Sequence, residues 1–268
     1  TTSFGSRLLI LRLLLQLAAP KPALIDTSSE SDGCGAELAL PKVVPITLEE
    51  PNVLLLDHAE YALDDESYAP AEEILRADNV LREKAGYPSR RNSVAQPWTI
   101  PEEPFCHVAR LRISFESLIE VDAVQIALED AENAEIRLNG ELVPSAVTGW
   151  YVDRSIQTVL LGRLQKGTNI LELKLPFGKR SNLEWCYILG DFGVRVRGEE
   201  AVITEPVREL GFGDITTQGL PFYGGNIQYH IPVQADEGEL QVHLPHYRGA
   251  LAAVSGKEKR RIVFAPYT

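Results

Sequence analysis

Three short stretches place aromatic rings beside a side chain that can hydrogen-bond a pair of hydroxyls: Trp150, Tyr151 and Asp153; Trp185, Tyr187 and Asp191; and Phe222, Tyr223 and Asn226. Aromatic faces pack against C–H bonds while a carboxylate or amide exchanges hydrogen bonds with hydroxyls, a combination that suits a carbohydrate in a concave site. The competing expectation is packing. Aromatic residues are only 7% of the chain, and in a β-sandwich a Trp or Tyr more often fills a core or an interface than touches a ligand. The two tryptophans are expected to differ. Trp185 leads into an apolar run and should be mostly buried, whereas Trp150 follows the turn residues Thr148-Gly149 and should be more exposed.

Other groupings invite other chemistry. Glu129, Asp130 and Glu132 crowd one turn and suit either Ca²⁺, which favours hard oxygen ligands, or plain solvation. Glycoside hydrolysis needs two carboxyl groups roughly 5–9.5 Å apart. With 38 Asp and Glu residues such a pair arises by chance, so a hydrolase using Glu129, Asp130, Asp153, Glu184 or Asp191 is the alternative reading. His230, His243 and His246 suggest zinc, but an unbroken strand would point His243 and His246, three apart, to opposite faces. Asp57, His58 and Glu60 follow the apolar run Val53–Leu56 as an active-site rim or as polar caps of a strand end. No G-x-S-x-G, phosphate-binding loop or dinucleotide fingerprint occurs, so no cofactor is expected.

Composition narrows the partners. The net charge of -12 argues against nucleic acid and an anionic membrane surface, since both are bound by basic faces. A neutral ligand fits better. Cys34, Cys106 and Cys186 stand far apart without a C-x-x-C pair, which argues against a disulfide framework and a cysteine-based zinc site. They read as buried free thiols and favour a reducing, cytoplasmic compartment over secretion. No methionine occurs, so the chain lacks a start residue and reads as a processed product.

The elements that must position these residues are mainly strands. The chain is organised around Ala127 to Pro144: an apolar run, an acidic turn, then Ala134, Ile136 and Leu138 alternating with Glu135 and Arg137 up to Asn139-Gly140. That is a strand, a turn, a half-buried strand and a type I′ hairpin. Leu111, Ile113 and Phe115, then Leu171, Leu173, Leu175 and Phe177, then Phe192, Val194 and Val196 alternate in the same way, with turn signals at Lys166-Gly167 and Gly178. Strands so spaced predict an antiparallel β-sandwich over residues 105–200. After Gly198 the pattern restarts with a glycine-rich loop from Gly211 to Asn226, a strand through Ile227, Tyr229, Ile231 and Val233, and another through Leu240, Val242 and Leu244.

Residues 201–268 therefore read as a second, partial sandwich. Its last strand, Arg261 to Phe264, lacks a sequential partner, and an open apolar edge is a template for a homo-oligomer. Residues 1–104 read as a mixed segment. Leu8 to Ala19 is too short for the roughly 20 apolar residues of a membrane span, and Arg12 spoils a signal peptide; it reads as a packed helix. Thr27 to Gly35 is a flexible link. Pro70 to Ala85 is a helix with Glu72-Glu73 in its first turn and Arg82 and Lys84 in its last, stopped by Gly86 and Pro88. Arg90 to Pro104 is an extended connector carrying Trp98.

Certain motifs go further. Asp130-Ala-Glu-Asn-Ala-Glu-Ile-Arg-Leu-Asn-Gly140, Gly149-Trp-Tyr-Val-Asp153, Leu175-Pro-Phe-Gly178, Leu183-Glu-Trp-Cys-Tyr-Ile-Leu-Gly-Asp-Phe-Gly-Val194 and Gly219-Leu-Pro-Phe-Tyr-Gly-Gly-Asn226 resemble the C-terminal region of large bacterial rhamnosidase-like glycoside hydrolases, which carry family 2 type sugar-binding domains. The resemblance runs from about Pro45 to the C-terminus; residues 1–40 do not share it. It implies galactose-binding-like jelly-roll sandwiches, accessory to a glycosidase domain that lies upstream in the family. By that resemblance the chain is a bacterial fragment or stand-alone relative that binds neutral carbohydrate and does not itself cleave it.

Overall fold

The computed structural model describes residues 6–14, 40–89, 101, 103–198, 200–234, 242, 244, 248–255 and 259–263. Along this path the chain forms β1 (Ser6–Leu14), β2 (Val43–Leu48), β3 (Asn52–Leu56), β4 (His58–Leu63), β5 (Ala69–Glu73) and α1 (Ile74–Lys84), then β6 (His107–Ser117), β7 (Val121–Glu129), β8 (Glu135–Leu138), β9 (Glu141–Val143) and β10 (Val147–Tyr151). It continues through β11 (Asp153–Leu164), β12 (Gly167–Phe177), β13 (Cys186–Gly190), β14 (Gly193–Arg197), β15 (Glu200–Thr204), β16 (Glu209–Gly211), β17 (Asn226–Gln234), β18 (Leu251–Ser255) and β19 (Lys259–Ile262).

Two compact units result. The central unit is Val53–Glu205; the terminal unit joins Thr1–Asn52 to Pro206–Thr268. The expected boundaries at residues 104 and 200 thus differ from the observed division. The stretch read as one mixed N-terminal segment is shared between the units, because β3, β4, β5 and α1 belong to the sandwich while β1 and β2 join the C-terminal strands.

The central unit is a mainly antiparallel β-sandwich. One sheet orders its strands β10-β11-β7-β13-β3; the other runs β14-β15-β6-β12-β8-β9, with β4 also paired to β6 and β5 to β4. Alternation explains the core. Leu111, Ile113 and Phe115 of β6 and Leu171 and Leu173 of β12 are buried, as are Val124, Ile126 and Leu128 of β7 and Ile188 of β13, each contributing roughly 1.5–3 kcal/mol. The opposite face of the larger sheet carries charge in register. Glu60 pairs with Arg112, Arg112 with Glu172 and Glu172 with Arg137, so opposite charges face each other across four strands. The hairpin at Asn139-Gly140 has φ of 53° and 84°, which is why this pair of residue types is needed there.

The terminal unit is a six-stranded sheet ordered β16-β2-β17-β1-β18-β19, with a core of Val44, Ile46, Leu210, Leu220, Tyr223, Ile227, Tyr229 and Ile231. Two expectations are corrected here. Residues 6–14 form a strand, not a helix: β1 is antiparallel to β17 on one side and β18 on the other. A short, mostly apolar run suits a strand flanked on both sides as well as it suits a buried helix, and periodicity alone does not separate the two. The last strand does have a sequential partner, since β19 pairs with β18 from Ala252–Ile262 to Ser255–Lys259 and Ile262 is buried. Thr27 to Gly35, Cys34, residues 90–100 with Trp98, Leu240, His243, His246 and Phe264 lie outside the described residues.

The helix is shorter than its sequence pattern. Pro70 to Glu73 are strand β5, and Glu73 is the N-cap, accepting from the Leu75 and Arg76 amides at 3.1 and 3.2 Å. Gly86, at φ 69°, ends it. Asp57 joins β3 to β4 and hydrogen-bonds His58 Nδ1 at 2.9 Å, while Glu60 pairs with Arg112 at 2.5 Å. Asp57 and His58 are thus partners at a strand junction, and Glu60 is part of the cross-strand charge ladder.

Candidate functional site

The structure brings together rings from two of the three expected groups. Tyr187 pairs with Ala127, Ala127 with Thr158 and Thr158 with Gly149, so these residues form a row on the face of the smaller sheet opposite its core. Across that row the rings of Tyr151 and Tyr187 meet, centroids 5.3 Å apart and planes inclined by 53°. Small side chains permit this. Ala127 lies on the outward face yet is fully buried, because its neighbours roof it, and Gly149 adds no side chain to the same row. Burial pushes both phenols above their usual pKa, and neighbouring Glu184 and Glu129 add to this at Tyr187. Both remain neutral hydroxyls at physiological pH, able to donate and accept.

The hairpin between β10 and β11 sets Tyr151 in place. Tyr151 pairs with Asp153 after a register shift at Trp150/Tyr151. Val152 between them sits at φ 60°, a region that a β-branched residue strongly resists. Asp153 closes the turn: one carboxylate oxygen accepts from the amide and hydroxyl of Ser155, both at 2.8 Å, and these bonds hold its pKa below the usual range. Trp150 is 58% exposed and Val152 75%; Trp150 pairs with Gln157 and Gln157 with Leu128 of the core, so the indole leaves the strand on the face opposite the tyrosine pair. The tip therefore presents apolar surface to solvent.

Trp185 is also exposed, at 38%. The expected order of the two tryptophans holds, but Trp185 is not a core residue. It lies in the segment before β13, where strand pairing has not begun, and its indole Nε1 donates to Glu73 Oε1 at 2.7 Å. Asp191 is exposed at the opposite end of β13 from Trp185, so it does not join the tyrosine pair.

The third group lies in the terminal unit and is built differently. Tyr223 is 5% exposed; its single hydroxyl proton is shared between Glu50 Oε2 at 3.0 Å and the Asn226 carbonyl at 2.8 Å. Glu50 also accepts from the Asn226 amide and side chain, both at 2.6 Å. A Cβ at Gly225 would crowd Glu50 Oε2 and stand 2.7 Å from the Tyr223 hydroxyl, so any larger residue there would displace the groups of this cluster. Phe222 is half-buried in the same turn. Tyr223 and Asn226 hold the loop against Glu50, in the turn between β2 and β3.

Several partners of the site were not legible as such. Gln125 donates to Thr148 Oγ1 at 3.2 Å, and Thr148 meets Thr158 Oγ1 at 3.1 Å, giving a polar margin beside the rings. The signal was present in β7, where Gln125, Ala127 and Glu129 alternate with Val124, Ile126 and Leu128. In the acidic turn weighed as a calcium site or a solvated turn, Asp130 is at φ 52° and the Glu132 amide donates to Gln157 Oε1 at 3.2 Å. No cluster of three or more His, Cys, Asp or Glu able to hold a metal occurs among the described residues. His230 contacts Thr47 Oγ1 at 2.8 Å. Cys186 is buried, its thiol pushed up to about 12 by desolvation, whereas Cys106 is exposed, contrary to expectation.

A separate recess of about 660 Å³ in the central unit is lined by Glu120, Leu142, Pro144, Leu160 and Arg163 among others, and none of the expected aromatic residues lines it. No helix among the described residues is long and apolar enough to cross a membrane. No protein-family model matches this chain, and a search of the curated proteins found no match.

Proposed function

We propose that this chain binds neutral carbohydrate on the outward face of the smaller sheet of the central unit, as a galactose-binding-like accessory domain of the rhamnosidase-like kind its motifs resemble. The observation that carries the reading is the Tyr151–Tyr187 ring pair at a strained hairpin tip. Rings offer faces for sugar C–H bonds; the phenol hydroxyls, Gln125 and Thr148 offer partners for sugar hydroxyls. Backbone strain of this kind gathers at ligand-binding tips. The acidic chain and the carboxylates Glu129 and Glu184 near Tyr187 disfavour anionic glycans.

The site binds without cleaving. Among the carboxylates that a hydrolase would draw on, Asp153 is tied into the Ser155 turn and Asp191 stands apart from the ring pair. A panel of neutral oligosaccharides titrated calorimetrically tests the proposal. Binding that falls at least about tenfold in both Tyr151→Ala and Tyr187→Ala, with unchanged circular dichroism, is expected; that loss corresponds to about 1.4 kcal/mol, within the range for one stacking ring. Affinity indifferent to both substitutions overturns it. Turnover of aryl glycosides that disappears in Glu129→Gln or Asp191→Asn would establish a hydrolase instead.

A further inference from the structure

Asp78 and Arg82 lie one turn apart on α1 with side chains 0% and 1% exposed, bonded Arg82 Nε to Asp78 Oδ2 at 2.8 Å. Neither belongs to the ring site. Further hydrogen bonds from both residues go to one loop. Arg82 donates from Nη1 to the Lys179 carbonyl at 3.2 Å, and from Nη2 to the Ser181 carbonyl and to Asn182 Oδ1. Asp78 Oδ1 accepts from the Leu183 amide at 3.2 Å. The guanidinium also lies 5.8 Å from the centroid of the Phe177 ring, at the end of β12. Between Phe177 and Cys186 the chain has no strand ladder, so this pair replaces the ladder as partner for the backbone at 179, 181 and 183.

The same helix grips the far end of that loop. Glu73, the N-cap of α1, takes the Trp185 indole N–H. Two residues on stands Tyr187. We infer that the buried Asp78–Arg82 pair is the positioning element of the carbohydrate site: it fixes the path of residues 178–185 and thereby where Trp185 and Tyr187 stand. This inference rests on the carbohydrate-binding reading for its functional consequence, and on the loop geometry alone for its structural one.

The chemistry favours this role over bulk stabilisation. Exchanging a buried ion pair for apolar residues of similar volume is often neutral or stabilising, because the desolvation of both charges is recovered. An apolar pair would fill the space under the loop but offer it no hydrogen bonds. The planar fork of arginine reaches three separate acceptors on the loop in one geometry; the ammonium of lysine, a point charge on a flexible stem, does not.

The double variant Asp78→Leu/Arg82→Met separates the two roles. The expected result is a melting temperature near that of the unsubstituted chain, a moved Trp185 indole N–H resonance (assigned by its loss in Trp185→Phe), faster hydrogen exchange of the Leu183 amide, and oligosaccharide affinity lower by about tenfold. Retained fold with unmoved Trp185 resonance and unchanged exchange overturns the inference. If the double variant does not fold, Asn182→Ala, which removes one exposed partner, is read the same way: a smaller shift of the Trp185 resonance supports the inference and its absence overturns it. If no oligosaccharide binds the unsubstituted chain, the carbohydrate reading fails while the resonance and exchange measurements still decide the positioning.

Discussion

Val152 and Glu50 show how single residues hold the two units in unfavourable or pH-sensitive arrangements. A non-glycine residue in the left-handed region costs roughly 1–2 kcal/mol, and Val152 is β-branched, at φ 60°, and 75% exposed. Little packing compensates it. Val152→Gly relieves that strain at a cost of roughly 0.5–1 kcal/mol in chain entropy, so it should stabilise the central unit by up to about 1 kcal/mol, seen as a higher urea midpoint, while loosening the tip and weakening oligosaccharide binding. A lower midpoint contradicts the assignment of strain. Glu50 gives a pH prediction. Burial alone would raise its pKa, but hydrogen bonds from the Asn226 amide and side chain and the Tyr223 hydroxyl outweigh it, and the net shift is downward. The unfolded chain therefore binds this proton more readily than the folded one. Its contribution is present above the ordinary glutamate pKa and is lost as the pH falls through the lower folded value. Acid denaturation of the terminal unit should include this group, and Glu50→Gln should flatten that part of the pH profile; an unchanged profile counts against it.

At the scale of elements, β1 carries the most specific expectation. It separates β17 from β18 in the six-stranded sheet, so deleting residues 1–14 leaves two unpaired edges where one strand stood. The terminal unit should then unfold or associate while the central unit keeps its own thermal transition; two intact transitions would show that β1 is dispensable. How far the sequence spoke to such elements depended on what alternates. Ala134, Ile136 and Leu138 against Glu135 and Arg137, closed by Asn139-Gly140, were readable as strand and hairpin because one face is buried and the other solvated. Residues 6–14 offered no alternation, since a near-continuous apolar run carries neither a period of 2 nor one of 3.6. The helix was legible in its middle, but not at its start, where Glu73 caps from outside after a short strand. Trp185 was misread as core because its partner, Glu73, is far away in sequence, and no local pattern announces a long-range hydrogen bond. Tyr223 looked like a ligand contact for the same reason: Glu50, which takes its hydroxyl, lies on the other side of the central unit in the sequence.

The whole molecule is one unit's sequence set within another's, and the three aromatic groups fall on both. Two of them converge across β10, β11, β7 and β13 in the central unit; the third closes a loop in the terminal unit. The proposed carbohydrate site is the Tyr151–Tyr187 face, while the loop from Leu220 to Asn226 is closed by its own hydrogen bonds to Glu50. The most direct test is to map the amide and side-chain resonances of the chain during titration with an oligosaccharide that binds. Binding at the Tyr151–Tyr187 face predicts shifts at Tyr151, Gln125 and Tyr187, with Phe222, Tyr223 and Asn226 unmoved. Shifts confined to the 220–226 loop, with the tyrosine pair silent, would contradict it.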